Sequence, residues 1–148
     1  MDHLAYAIVL APAAIFIIAA AMMLSAKKSA DVDETMINNI DRKQASGRFI
    51  IFLSYPATSF IYGIMTVFLI YQSTGSFSVP EDLKATCIIT LVCYCLSCAI
   101  KGLIGSIEIA KGALYNNEFG KSTVKLCMPE IISLLGIMFF FMKYTQMC

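Results

Sequence analysis

The sequence predicts an all-α membrane protein, with four transmembrane helices arranged as two duplicated helical hairpins. Three observations carry that expectation. Of the 148 residues, 59% are hydrophobic and only 14% are charged, with a mean hydropathy of +0.76, whereas roughly a quarter of a soluble domain is charged. The apolar residues fall in long runs that lack the alternation of barrel strands, and only helices or closed barrels satisfy backbone groups in lipid. The second half of the chain also repeats the first. A soluble globular enzyme and a disordered tail are both excluded. The net charge of +1 and a pI near 7.5 give no basic footprint for nucleic acid. The length is that of a single domain spanning residues 1–148.

A helix needs about 20 apolar residues to cross a hydrocarbon core about 30 Å thick. Leu4–Ala26 is the first such run. Its start, Met1-Asp2-His3, has no Lys or Arg, and the basic pair Lys27-Lys28 follows it. That is the reverse of the charge order of a signal peptide, so this run is read as a mature span. The run is crowded with alanines, among them Ala5, Ala13, Ala19 and Ala20, and small side chains let membrane helices approach closely.

Phe49–Tyr71 is the second span, and the short Gly75–Glu81 connection leads to the third, Ala85–Ala110. Val124–Met142 is the fourth. Cys87, Cys93, Cys95, Cys98 and Cys127 lie inside spans and Cys148 is terminal. No pair brackets an exposed loop, so they are read as small apolar packing residues. Lys27, Lys28, Arg42, Lys43 and Arg48 cluster between spans one and two, and Lys111, Lys121 and Lys125 between spans three and four. By the positive-inside rule, loops 27–48 and 111–121 are cytoplasmic and both termini face the lumen or exterior.

The hairpins, residues 4–72 and 82–146, are related by an internal repeat. A shift of 73 residues aligns Gly47 with Gly120, Leu53 with Leu126 and Pro56 with Pro129. The same shift aligns Gly63-Ile64-Met65 with Gly136-Ile137-Met138, Phe68 with Phe141 and Tyr71 with Tyr144. At one position the halves differ in chemistry: Pro56 precedes Ala57, whereas Pro129 precedes Glu130. Glu130 lies nine residues beyond Lys121, about 13 Å into the membrane at a rise of about 1.5 Å per residue. An ionisable residue at that depth is a functional candidate by default. One alternative is a carboxyl kept neutral that merely hydrogen-bonds a neighbouring helix. The sharper reading is a group that alternates between neutral and charged forms.

The segment Leu126–Phe141, LCMPEIISLLGIMFFF, resembles the last helix of the proteolipid c subunit of vacuolar-type rotary ATPases, with Glu130, Ser133 and Gly136 in the family's spacing. Phe60-Ile61-Tyr62-Gly63 and the following IMTVFLI resemble its second helix, and Gly102-Leu103-Ile104-Gly105 its third. The resemblance implies a four-helix proteolipid that assembles with copies of itself, alone or together with sister proteolipids, into a rotor ring in an endomembrane such as the vacuole. It further implies a stator subunit a with an essential arginine, and a subunit d and central stalk driven by ATP hydrolysis elsewhere in the complex. No catalytic site and no cofactor are expected in this chain.

Within that resemblance Glu130 is the proton-carrying residue, and Ala57 marks the site lost from the first repeat. Tyr62, Thr58, Ser59 and Ser133 are its expected neighbours, with Tyr62 able to hydrogen-bond the carboxyl. Neither Ser59 nor Lys101 is the amide that a sodium-binding relative would carry, so the transported ion is expected to be a proton. Lys101, an apolar position in the family, is expected to snorkel toward the cytoplasmic face, the alternative being a contact that tunes the ion site. Glu108 and Lys111 are expected on solvated or interfacial surface. Two other classes stay open. A small proton-coupled cation or drug exchanger tends to place its membrane acid in the first span, where this chain has none. A non-catalytic tetraspan scaffold should carry a larger, disulfide-bonded loop than Gly75–Glu81.

Overall fold

Five helices follow one another in the computed structural model, which describes residues 3–32 and 42–147: α1 His3–Val32, α2 Arg42–Thr74, α3 Glu81–Ala110, α4 Phe119–Cys127 and α5 Glu130–Met147. Met1, Asp2, residues 33–41 of the first connection, the Arg42 side chain and Cys148 lie outside the described residues. Four stretches are long and apolar enough to cross a membrane, His3–Val32, Lys43–Thr74, Glu81–Ala110 and Phe119–Met147. The chain therefore has the architecture of a multi-pass membrane protein.

The fourth span, Phe119–Met147, contains the expected run Val124–Met142. It carries a local irregularity at Met128-Pro129, between α4 and α5, where Met128 keeps helical backbone angles. Proline has no N–H to give to the preceding turn and its ring collides with the carbonyl four residues back. The chain tightens there, with Ile131 N donating to Met128 O at 3.3 Å and Ile132 N to Pro129 O at 3.1 Å. Pro12 and Pro56, by contrast, are carried inside continuous helices.

The connections end helices by recognisable backbone chemistry. Gly75, at φ 67°, closes α2 through its N–H to Tyr71 O at 2.9 Å. Glu81 and Asp82 occupy the first turn of α3, where the helix dipole favours negative charge. At the other end of α3, Gly112 at φ 82° donates to Ile109 O at 2.9 Å while Ala113 donates to Glu108 O at 3.0 Å. That pair of bonds is a Schellman motif, which needs a residue tolerant of the left-handed region. The loop it starts is then pinned to α2. Arg48 Nη1 donates to Leu114 O (3.2 Å) and Asn116 O (3.0 Å), and its guanidinium lies over the Phe119 ring, 4.8 Å from its centre.

The first helices of the two hairpins, α1 and α3, form the most extensive contact in the molecule; α2 packs across both, and α5 packs chiefly on α3 without touching α1. Small residues set this closeness. A Cβ on Gly102 would collide with Ala19, and one on Gly63 would lie 2.5 Å from Ile8 O. Buried side chains gather in two apolar clusters. One is built around Ile8, Ile70, Leu83, Tyr94 and Phe140, the other around Met23, Phe52, Ile109, Leu114 and Leu126. Between them runs a polar band, and it holds the site.

Candidate functional site

Helical spacing builds this band. On α3, Thr90, Tyr94, Ser97 and Lys101 recur at intervals of three and four, which places them along one face, and all four are buried. On α2, Tyr55, Thr58, Ser59, Tyr62 and Thr66 recur in the same way. Glu130 opens α5 directly after the proline irregularity, so its carboxylate enters where α2, α3 and α5 meet.

At this junction Lys101 Nζ forms a salt bridge with Glu130 Oε2. The ammonium also donates to Thr58 Oγ1 at 2.9 Å and to Ser59 Oγ at 3.4 Å. Its three N–H bonds are thereby all used. Thr58 Oγ1 lies 2.9 Å from Glu130 Oε2 and 2.7 Å from Tyr55 O, and its one proton serves one acceptor at a time. Ser59 Oγ and Ser133 Oγ are 3.1 Å apart, so the network joins all three helices. The Lys101 side chain is 0% exposed and that of Glu130 20%. Glu130 Oε1 is buried and has no hydrogen-bond partner among the described residues.

The expectation that Lys101 snorkels is overturned. It sits nine residues before the end of α3, about 13 Å along the axis, farther than its four-methylene stem extends. An isolated lysine at mid-membrane costs about 2.5–3.5 kcal/mol. A carboxylate and two hydroxyls within reach offset that cost locally, and the chain takes this route. Tyr62 lies beside Glu130, close enough for hydroxyl and carboxylate to interact electrostatically, and packs against Tyr94 with ring centres 6.1 Å apart. Thr58, Ser59, Ser133, Lys101 and Glu130 are thus brought together, with Tyr62 at the edge.

Glu108 also departs from expectation. Rather than lying on a solvated surface, it is buried between α3 and α4, accepting from Ser122 Oγ at 2.6 Å and Lys125 Nζ at 3.0 Å. Lys111, 3.5 Å away, is largely exposed. This cluster fastens the α3–α4 connection and belongs to the frame of the site.

Three contributors were missed by the residue-level reading. Ser97 Oγ donates to Pro129 O at 2.8 Å, holding the irregular turn that presents Glu130. Thr90 Oγ1 donates to Gly136 O at 3.1 Å, one and a half turns farther along α5. Cys98 Sγ lies 3.4 Å from Pro56 O and 3.8 Å from Pro12 O, tying α3 to the proline turns of α1 and α2. The signal was present as the periodic polar stripe on α3, and only Lys101 had been taken from it.

The two hairpins do not share one register. Gly63 faces Ile8, whereas its counterpart Gly136 faces Thr90 and Cys93. The first helices therefore correspond at a spacing of 82–85 residues, although the second helices repeat at 73. On α1 the counterpart of Lys101 then falls within Phe16–Ala19, which is uncharged. With Ala57 in place of the acid, the first hairpin lacks both members of the ion pair.

No protein-family model, no curated protein and no solved structure matches this chain. What the fold and the site define is a class: a polytopic four-helix protein that holds one lysine–glutamate pair within its membrane core.

Proposed function

We propose that the chain is the proteolipid of a vacuolar-type rotary ATPase, a ring subunit that moves one proton per copy through the site at Glu130. The observation that carries this reading is the position of Glu130. It is the one acid in the middle of the last apolar span, presented by a proline irregularity at the edge of a duplicated hairpin, with its side chain 20% exposed. A carrier at the periphery can meet a stator as the subunit passes, whereas an acid sealed in the bundle could not. The pairing of α1 with α3, flanked by α2 and α5, suits a wall whose first helices pack inward. The chain would then act with further copies, a stator bearing an arginine, and ATP-hydrolysing partners, in an endomembrane with both termini lumenal.

The test is native electrophoresis of gently solubilised membranes, combined with proton transport. The chain should migrate in a very large complex that hydrolyses ATP, and the double substitution Lys101→Met with Glu130→Gln should leave that complex assembled and abolish pumping. Migration as a monomer or small oligomer, or normal pumping by the double variant, would refute the proposal.

A further inference from the structure

An acid that simply carries a proton should have no fixed cation beside it, because the cation favours the ionised form. Here the cation is fully buried, triply hydrogen-bonded and bonded to the acid itself. Charge counting resolves the conflict. If Lys101 stayed an ammonium throughout, loading a proton on Glu130 would give the pair a net charge of +1. The loaded subunit would then cross lipid charged, which is costly. If instead the pair holds one transferable proton between two basic sites, the loaded pair is neutral and the unloaded pair carries −1.

We infer that the transported proton resides on Lys101, so that the Lys101–Glu130 pair, not the carboxyl alone, is the carrier. This rests on the proposed proteolipid function and deepens it. In the loaded state Lys101 is an ammonium and Glu130 a carboxylate. On release, an N–H bond of Lys101 breaks and its proton passes to water, directly or by way of Glu130 Oε2, leaving a neutral amine and a carboxylate. On loading, the amine lone pair takes a proton from a hydronium ion and the N–H bond re-forms. No electron changes owner. The unloaded carboxylate requires a cation from outside the chain, which can meet the buried Oε1 only once the Glu130 side chain turns toward the periphery.

Among the described residues, the surroundings of the pair supply no competing charge. The titratable side chains facing the pair are Tyr55 and Tyr62 from α2 and Cys98 from α3, with the exposed Cys127 of α4 reaching only Tyr55. Among the described residues of α1, His3, Tyr6, Lys27, Lys28 and Asp31 all lie toward the helix ends, and Lys143 and Tyr144 lie at the far end of α5. Thr58 and Ser59 serve either state, because a hydroxyl accepts from an ammonium and donates to an amine. The absence of both members from the first hairpin fits a carrier made of two residues.

The decisive variant is Lys101→Arg in the assembled complex. Arginine preserves the charge and the pairing but is never deprotonated in a protein. It should assemble and lose at least about 100-fold in proton transport. Wild-type pumping by Lys101→Arg would overturn the inference while leaving Glu130 as a carrier. A second measurement does not depend on how well arginine fits. Dicyclohexylcarbodiimide attacks a protonated carboxyl, so at neutral pH it should modify Glu130 at least about tenfold more slowly in the wild type than in Lys101→Met. Equal rates would place the proton on Glu130 and overturn the inference. Failure of the proteolipid reading is seen separately, as a chain that migrates outside any ATP-hydrolysing complex.

Discussion

Removing Glu130 alone should damage the protein more than removing both partners. Glu130→Gln leaves the Lys101 ammonium fully buried with no counter-charge, solvated by Thr58, Ser59 and the new amide oxygen. Breaking a buried pair in this way costs about 3–5 kcal/mol. Lys101→Met should cost less, about 1–3 kcal/mol, because the abandoned carboxylate keeps its bond to Thr58 and, at 20% side-chain exposure, can turn toward the periphery. The double variant has neither charge to strand and replaces a strongly hydrated group with a methionine of similar reach. It should sit within about 1–2 kcal/mol of the wild type. The resulting coupling energy is about 2–7 kcal/mol. Neutral interhelical hydrogen bonds in membranes average only about 0.6 kcal/mol, so a value in that range requires an ion pair. The assay is titration of the reconstituted chain with a denaturing detergent in mixed micelles, followed by far-ultraviolet circular dichroism, since the chain has no Trp. Additivity of the two single substitutions within about 0.5 kcal/mol would show that the groups do not form a charged pair, and the reasoning from the site would fall.

Other outcomes follow from the packing. Gly136→Ala would set a Cβ 2.8 Å from Cys93 Cβ and should destabilise by about 1–3 kcal/mol, whereas Gly120→Ala meets nothing within 4 Å and should be neutral or stabilising by up to about 1 kcal/mol; the same titration separates them. Arg48→Lys keeps the charge but cannot span Leu114 O and Asn116 O with a planar fork, so amide exchange across residues 112–119 should accelerate about tenfold, and unchanged protection would show that Arg48 is dispensable to that loop. If this chain alone forms the ring, protons moved per turn should equal its copy number, because Ala57 cannot titrate; a ratio of transported protons to hydrolysed ATP corresponding to twice the copies counted by electron microscopy would refute a single carrier per chain.

The spans were legible because hydropathy and charge placement report directly on lipid exposure, and Glu130 stood out because a single acid in an apolar run has few innocent explanations. The irregularity at Pro129 was less so. Pro56 aligns with it in the repeat and remains inside a continuous helix, so a proline alone does not decide the irregularity. Lys101 was misjudged for a related reason. Whether a lysine snorkels depends on whether a partner lies within reach, and its partners Thr58 and Glu130 are 43 and 29 residues away in the chain. Glu108 shows the same limit, since Ser122 and Lys125 reach it only once the Schellman turn at Gly112 folds α4 back beside α3.

The mismatch in register explains why the charges appear together in one hairpin only. A carboxylate at Ala57 would lie on α2 while the corresponding stretch of α1, Phe16–Ala19, offers no donor, so that acid would be buried alone at a cost of several kcal/mol. A lysine on that stretch of α1 would be stranded in the same way. Either charge is tolerable only after the other is present, and the same coupling holds for loss. The first hairpin carries neither member, and the polar positions of its α2 serve the site of the second. Thr58 and Ser59 now reach Lys101 on α3. The duplicated halves have therefore not remained two equivalent units. The second hairpin supplies both charges, the first supplies the hydroxyls that solvate them, and neither hairpin alone contains the complete site.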